Sequence, residues 1–139
     1  FVDEMTSWWA DRRASDPNRK AVLVGDFNIA PSENDVWSHK KLLRVVSHTP
    51  VEVEILEKFR QSGDFIDAVR EVVPEPEKLF SWWSYRARDW RASNKGRRLD
   101  HVWMTPNMAG TTRTASVYDL ARDWEKPSDH APVVVEFNL

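Results

Sequence analysis

The chain contains no cysteine and only four glycines among its 139 residues. Without cysteine it can form neither a disulfide framework nor a zinc–thiolate site. No run of apolar residues approaches the roughly 20 that a membrane-spanning helix needs, and the net charge of −2 provides no overall positive field that would attract nucleic acid. These absences exclude disulfide-rich, zinc-finger and membrane-spanning classes, and a cytoplasmic setting fits them.

The composition and periodicity predict one α+β domain. Hydrophobic residues make up 41% of the chain and charged residues 30%, which is typical of a globular protein. We expect one sheet of strands, with helices covering at least one of its faces. Helical spacing and capping residues predict helices over residues 3–15, 35–43, 49–63 and 65–72. Apolar, β-branched and aromatic runs predict strands over residues 21–24, 79–85, 98–105, 114–120 and 132–139.

One segment, residues 82–98, combines basic and aromatic side chains. Of the eight tryptophans in the chain, four lie between residues 82 and 103. Such a mixture can neutralise phosphates and offer rings to bases or to a sugar face. The alternative is a long hairpin loop whose tryptophans pack in the core and whose basic side chains are only solvated. The basic residues are Arg86, Arg88, Arg91, Lys95, Arg97 and Arg98.

Polar residues follow the first predicted strand. If that strand continues to Asn28, alternation places Asp26 and Asn28 on the same face. Two oxygen ligands of this kind suit Mg²⁺ or Mn²⁺, or the placement of a water molecule. The alternative is a turn at the end of the strand, in which Asp and Asn bond to backbone groups.

A second group of polar residues comprises Asp100, Asp129 and His130. Asp100 lies inside an apolar strand, where an unpaired carboxylate is costly to bury. It can pair with Arg97 or Arg98 as a structural ion pair, or it can hold His130 in one tautomer. Asp129 and His130 precede the last strand, a position where such a pair is often only a turn. His101 points to the opposite face from Asp100 and is expected at the surface or at the edge of the core.

The coincidence of these polar groups at strand ends predicts one type of chemistry. Ligands for a hard cation, together with a histidine oriented by a carboxylate, are suited to metal-assisted attack of water on a phosphoester. A carboxylate orients or deprotonates the water, and the imidazole stabilises the developing charge.

Four motifs then resemble, in order and approximate spacing, the exonuclease III family of the endonuclease/exonuclease/phosphatase superfamily. The first and last of them occur across the superfamily, whereas the two middle ones are more particular to its DNA repair branch. The motifs are Gly25-Asp26-Phe27-Asn28-Ile29-Ala30-Pro31, Phe80-Ser81-Trp82-Trp83-Ser84-Tyr85-Arg86, Arg98-Leu99-Asp100 and Ser128-Asp129-His130-Ala131-Pro132-Val133.

The resemblance implies a fold and a set of roles. The fold would be the C-terminal half of a four-layer α/β/β/α sandwich of the DNase I type, with one mixed sheet and helices on its outer face. Catalysis would involve Asp26, Asn28, Asp100 and His130, and Mg²⁺ or Mn²⁺ would be held by Asp26, Asn28, Asp129 and His130. Double-stranded DNA with abasic sites or 3′ ends would contact Trp82, Tyr85, Arg86, Arg97 and Leu99. Position 97 is Arg where some relatives carry an apolar residue, so the resemblance leaves the preference of the pocket open.

The match concerns only half of the family's usual length. The whole chain, residues 1–139, corresponds to the C-terminal half of one domain, and the N-terminal half normally supplies a metal-binding Glu, an Asn and a Tyr. We therefore expect these residues alone to be inactive or nearly so, and to expose an apolar sheet face through which copies self-associate. The alternatives are a phosphatase or phosphodiesterase acting on small molecules or lipids, and a non-catalytic module that binds nucleic acid.

Overall fold

A computed structural model describes all 139 residues and shows the predicted α+β fold. None of its helices has the length and apolar character needed to cross a membrane. The α-helices are α1 (Val2–Ser15), α2 (His39–Leu42), α3 (Pro50–Ser62), α4 (Ala68–Val72) and α5 (Trp90–Ser93). The strands are β1 (Val22–Asp26), β2 (Ile66–Asp67), β3 (Trp82–Trp83), β4 (Gly96–Arg97), β5 (Asp100–Met104), β6 (Thr112–Val117) and β7 (Val133–Phe137). Short 3₁₀ turns span Glu33–Asp35, Pro106–Met108 and Asp119–Asp123.

The strands form three hydrogen-bonded groups, so the expectation of one mixed sheet is wrong. The groups are β1-β5-β2, β3-β4 and β6-β7, and every strand pair is antiparallel. The physical reason is the shortness of β2, β3 and β4, which have two residues each and cannot carry a continuous ladder from one group to the next.

One face of the β1-β5-β2 sheet is covered by the helices α1 and α3. Trp9, Leu56, Phe59, Phe65 and Trp103 form a buried cluster there. The predicted start of α3 is confirmed, because the Thr49 side chain accepts a hydrogen bond from the Glu52 N–H and the Glu52 carboxylate accepts one from the Thr49 N–H.

The opposite face of the same sheet is only partly covered. Val102 and Met104 of β5 are buried against Ala68 and Val69 of α4. Val22 and Val24 of β1, however, are 41% and 63% exposed. A continuous apolar run such as residues 21–24 predicts a strand buried on both faces. That prediction is wrong here, because α4 and the β6-β7 pair cover β5 and leave β1 open. The apolar sheet face expected from the resemblance is present at this edge.

Several predicted elements are shorter than the sequence indicates. The expected helix over residues 35–43 is a 3₁₀ turn followed by α2, and the segment 65–72 begins with β2 before α4. The expected strand over residues 79–85 is regular only at Trp82–Trp83. Next to Trp82–Trp83 the backbone makes single bonds instead of a continued ladder, such as the one from the Ser81 N–H to the carbonyl of Arg97.

A buried ion cluster fixes the turn before β5. The guanidinium of Arg98 donates to both oxygens of Asp35 at 2.7 and 3.0 Å and to Asp67 at 2.7 Å. Arg70 adds a bond of 2.6 Å to Asp35. Although burial opposes ionisation of Asp35, Arg98 and Arg70 hold its pKa below the usual value. Arg98 is therefore committed to structure, and this holds Leu99 and Asp100 in place.

Candidate active site

Two carboxylates face each other at one end of the β1-β5 pair. Asp26 is the last residue of β1, and its register partner is Asp100, the first residue of β5. Like charges placed directly opposite each other across an antiparallel pair repel. This position is thus suited to a positive group that lies between the two carboxylates.

His130 lies between them. Its Nδ1 is 2.8 Å from Oδ2 of Asp100, and its Nε2 is 3.6 Å from Oδ2 of Asp26. Because a carboxylate can only accept, the hydrogen bond to Asp100 places the proton of the imidazole on Nδ1. The predicted contact between Asp100 and His130 is present, and the alternative ion pair of Asp100 with Arg98 is not, since Arg98 binds Asp35 and Asp67.

Backbone pairing with the segment before β3 fixes the position of His130. Trp82 forms an isolated antiparallel bridge to His130. The Trp83 N–H donates to the carbonyl of Asp129 at 3.0 Å, and the Ala131 N–H donates to the carbonyl of Ser81 at 2.8 Å. The loop that carries the histidine is therefore added as an extra strand segment to the Trp82–Trp83 edge.

Ser81 is a positioning residue that sequence reasoning did not single out. Its buried hydroxyl donates to Oδ2 of Asp100 at 2.6 Å and accepts from the N–H groups of Leu99 and Asp100. The carboxylate of Asp100 is thereby held between Ser81 and His130. In the sequence, only its place inside the Phe80–Arg86 motif marks Ser81, because a serine before a strand is common and indicates no particular role.

Asn28 departs from the geometry expected of a continuing strand. Strand β1 ends at Asp26, and Asn28 has a left-handed backbone with φ of 55°. Its N–H donates to Oδ1 of Asp26 at 2.8 Å. The expectation that Asp26 and Asn28 share a strand face is therefore wrong, and the alternative, a turn at the end of the strand, is the observed one. Asn28 still lies beside the carboxylate, because the turn folds back onto Asp26.

Asp129 does not belong to the cluster that Asp26, Asp100 and His130 form. Its Oδ2 accepts a hydrogen bond of 2.9 Å from the indole Nε1 of Trp82. The ligand atoms that lie within 4.8 Å of one another belong to Asp26, Asp100 and His130. The structure therefore groups Asp100, rather than the expected Asp129, with Asp26 and His130.

The donor set of this cluster fits a hard divalent cation. Oδ1 of Asp26 accepts the Asn28 N–H and Oδ2 of Asp100 accepts two bonds, which leaves one oxygen of each carboxylate without a hydrogen-bond partner in the chain. One or two carboxylates completed by water and substrate oxygens form the usual protein contribution to a Mg²⁺ site. Asp26 and Asp100 are the residues that would hold the ion, whereas the imidazole of His130 suits softer metals better.

A cavity of about 520 Å³ opens next to the carboxylates. Asn28, which binds Asp26, and Leu99, which precedes Asp100, both belong to its wall. Trp82, Arg86, Arg97 and Leu99 from the predicted set line it. Tyr85 does not, because its hydroxyl donates to the carbonyl of Pro127 at 2.7 Å and its ring stays 62% exposed. The other wall residues, which sequence reasoning did not identify, are Trp37, Val45, Val46, Ser47, Ser84 and Lys95.

His101 is buried, so its expected place at the surface or the core edge is wrong. Its side chain stacks on Phe27 with ring centroids 5.5 Å apart, and its Nε2 bonds to the carbonyl of Ile29 at 2.8 Å. Burial, with the charge of Arg98 as a second cause, lowers the pKa of His101 to about 4. A neutral imidazole here supports the turn that follows Asp26 and takes no direct part in the carboxylate cluster.

A carboxylate–histidine–carboxylate cluster that can hold a divalent cation, beside a cavity lined by cations, is suited to metal-assisted hydrolysis of phosphoesters. The chain belongs to the Endonuclease/Exonuclease/phosphatase family, which residues 9–130 match. Nucleases of this family generally use divalent cations. The resemblance inferred from the four motifs is confirmed at the level of the family.

Curated relatives agree with this assignment. The chain is 31% identical to exodeoxyribonuclease III of Haemophilus influenzae over 128 residues, which is 88% of this chain and 47% of that protein. It is 32% identical to an exodeoxyribonuclease of Bacillus subtilis, over 89% of this chain and 47% of that one. The chain thus spans about half the length of the curated relatives it matches.

Solved structures confirm the DNase I-like fold class. A 3′ phosphatase NExo from Neisseria, bound to a product DNA hairpin, superposes with a TM-score of 0.89 at 31% identity, over 99% of this chain and 52% of that one. An AP endonuclease from Archaeoglobus fulgidus gives a TM-score of 0.88 at 28% identity, over 99% and 53%. The α+β half-sandwich predicted from the sequence is therefore the observed one.

Proposed function

We propose that this chain is part of a DNA repair nuclease that hydrolyses phosphodiesters at abasic sites and at 3′ ends. The activities would be abasic-site incision, 3′–5′ exonuclease and 3′-phosphatase. The observation that carries the proposal is the position of His130 between Asp26 and Asp100, at the edge of a cavity lined by tryptophans and cations. Relatives named exodeoxyribonuclease III and DNA repair nuclease support it.

The reaction is attack of water on phosphorus. Mg²⁺ or Mn²⁺, when bound, would polarise the phosphate oxygens. Asp26 orients the water and takes its proton as the new O–P bond forms, and the turn at Asn28 helps to hold that water. His130, aligned by Asp100, acts as the imidazolium: its Nδ1–H bonds to Asp100, and its Nε2–H donates to the phosphate and stabilises the charge that develops. The bond to the 3′ oxygen of the DNA breaks, and that oxygen takes up a proton from solvent.

DNA recognition is assigned to the cavity and its rim. Trp82 and Leu99 provide apolar surface for an extruded sugar, and Arg86 and Arg97 provide positive charge for phosphates. Tyr85 lies outside the cavity but is exposed on the same segment, where it can contact the strand. This combination favours a nucleic acid over the small-molecule or lipid substrates of other superfamily members.

We also propose that the chain provides only part of the active site. The curated relatives are about twice as long as this chain, so further residues of a protein of that length can complete the site around Asp26, Asp100 and His130. These 139 residues alone are expected to be inactive or nearly so.

The test uses a protein of the relatives' length that contains this chain. A duplex with a tetrahydrofuran abasic site is incised in the presence of Mg²⁺ or Mn²⁺, and binding is followed by fluorescence anisotropy in EDTA. Asp26→Asn and His130→Asn should lower kcat by about 100-fold or more and leave DNA binding largely intact.

The matched control is Asp11→Asn, which removes an exposed carboxylate on α1 far in sequence from the cluster. It should incise at the wild-type rate. DNA binding without any metal-dependent incision by the wild-type protein would refute the enzyme and leave the non-catalytic binding module.

A further inference from the structure

The cations that line the 520 Å³ cavity lack carboxylate partners. Arg86, Lys95 and Arg97 belong to its wall, and none of them forms a salt bridge. The neighbouring Arg98 and Arg70 are instead neutralised by buried carboxylates. The cations of the cavity wall therefore have no carboxylate in direct contact, whereas the two arginines behind the wall are paired.

Arg97 is the best fixed of the three cations. Its Nη1 donates to the carbonyl of Val46 at 2.9 Å and to the hydroxyl of Ser47 at 2.7 Å. Its guanidinium carbon lies 5.2 Å from the ring centroid of Trp82. Nη2 donates no hydrogen bond within the chain. Arg97 is thus a pre-positioned hydrogen-bond donor that can bind an anion with little loss of side-chain entropy.

The electrostatics of Arg97 also favour an anion. Burial lowers its pKa, and the more distant carboxylate of Glu52 offsets this only in part. Two oxygens of a carboxylate or a phosphate can accept hydrogen bonds from one guanidinium, and such charge-assisted bonds are stronger than neutral ones. An anionic ligand would therefore supply the compensation that the chain itself does not.

We propose that Arg97, assisted by Lys95 and Arg86, makes this cavity select substrates whose scissile phosphate carries an anionic group on its 3′ side. The group would be a carboxylate or a second phosphate, preferred over a neutral group of similar size. This inference rests on the proposed function and adds to it a residue that determines specificity. A neutral group would leave the cations of the wall desolvated and unpaired, which penalises its binding.

The experiment compares three DNA hairpins with recessed 3′ ends. One ends in 3′-phosphoglycolate, the second in the phosphate 2-hydroxyethyl ester, and the third in the phosphate 2-phosphoethyl ester. The first two have nearly the same size and differ in one negative charge, whereas the third distinguishes a phosphate from a carboxylate preference. The protein is again one of the relatives' length, and kcat/KM is measured for each hairpin.

Wild-type protein should prefer the glycolate over the hydroxyethyl end by about 10-fold or more. Arg97→Leu should reduce that ratio about 10-fold, because kcat/KM falls much more for the glycolate end than for the hydroxyethyl end, and Arg97→Lys should retain part of the ratio. Arg44→Leu, which removes an exposed arginine outside the cavity, should leave the ratio unchanged. An equal loss for charged and neutral ends in Arg97→Leu would show a merely structural role and overturn the inference.

Binding measured in EDTA separates the two proposals. If the wild-type protein hydrolyses none of the three ends, the proposed action on 3′ ends fails, but the ratio of the dissociation constants for the glycolate and hydroxyethyl hairpins still tests the cavity. A ratio near one, or a ratio that Arg97→Leu does not change, overturns the inference regardless of catalysis.

Discussion

His101 illustrates how a single buried group couples stability to pH. Its ring is 1% exposed, and its Nδ1 has no hydrogen-bond partner. Protonation would place a charge in the core next to Phe27 and Trp103, and near the guanidinium of Arg98. The native state therefore disfavours the imidazolium, whereas the unfolded chain accepts the proton at the ordinary histidine pKa.

The first prediction concerns this pH dependence. Because the native pKa of His101 is about 4 and the unfolded value is 6.5, only the unfolded chain binds the proton between these pH values. Stability should fall as the pH decreases from 6.5 toward 4, by at most about 3 kcal/mol from this group. Denaturant unfolding at several pH values measures the effect, and His101→Gln should flatten it, because the Gln amide can still donate to Ile29.

His39→Gln provides the comparison. His39 is exposed at the start of α2, so its replacement should retain the loss of stability contributed by His101. Equal slopes of stability against pH in the wild type and in His101→Gln would contradict the assignment of this dependence to the buried ring.

At the scale of elements, the β3-β4 hairpin links the cavity to the histidine loop. Trp82 pairs with Arg97 across the hairpin, and Trp82 also bridges to His130. Two residues per strand give few backbone bonds, so side-chain packing has to hold the hairpin. Phe80, which packs with Trp83 and Ala131, lies directly over Gly96.

The second prediction is that Gly96→Ala destabilises this hairpin. A Cβ at residue 96 would lie 2.6 Å from both Cβ and Cγ of Phe80, a contact that only movement of the Phe80 backbone or ring can relieve. The expected cost is about 1–3 kcal/mol of unfolding free energy, measured by urea denaturation. Gly25→Ala should cost less, because its Cβ would meet only the edge of the Phe27 ring at 3.3 Å.

Elements with local signals were predictable, and those formed by distant pairing were not. Thr49, Pro50 and Glu52 specify the start of α3 within four residues, so the sequence predicts that helix closely. The bridge from Trp82 to His130 depends on a residue 48 positions away, for which no local pattern exists. The contact of Ser81 with Asp100, 19 residues away, likewise has no local pattern that predicts it.

In the active site, too, some contacts could be predicted from the sequence and others could not. Contact between Asp100 and His130 could be predicted because a carboxylate inside an apolar strand needs a partner and the family motifs suggest one. Trp37 and Ser47 enter the cavity wall from the segments on either side of α2, which carry no chemical motif, and Asp129 turns to the indole of Trp82. Side-chain direction in loops depends on packing that only the folded chain defines.

For the whole molecule, the open sheet face lies next to the carboxylate cluster. Val22 and Val24 share a face of β1 with Asp26, and the residue opposite Val24 is the buried Val102. In a longer protein, further chain packed on this face would lie close to Asp26 and Asp100. Such packing would both bury the valines and bring additional groups toward the cluster.

The last prediction is that the 139-residue polypeptide alone self-associates through this face. Sedimentation velocity over a range of concentrations should show oligomers, and Val24→Lys should shift the equilibrium to monomer. Burial of a valine stabilises by about 1.5 kcal/mol, so a symmetric dimer that buries Val24 twice would weaken by about 100-fold or more. Val51→Lys replaces a valine of similar exposure, 66%, on α3 and should leave the association unchanged. A wild-type chain that stays monomeric would refute the self-association. If Val24→Lys and Val51→Lys changed the association equally, Val24 would behave like any exposed valine, and this face would be excluded as the contact.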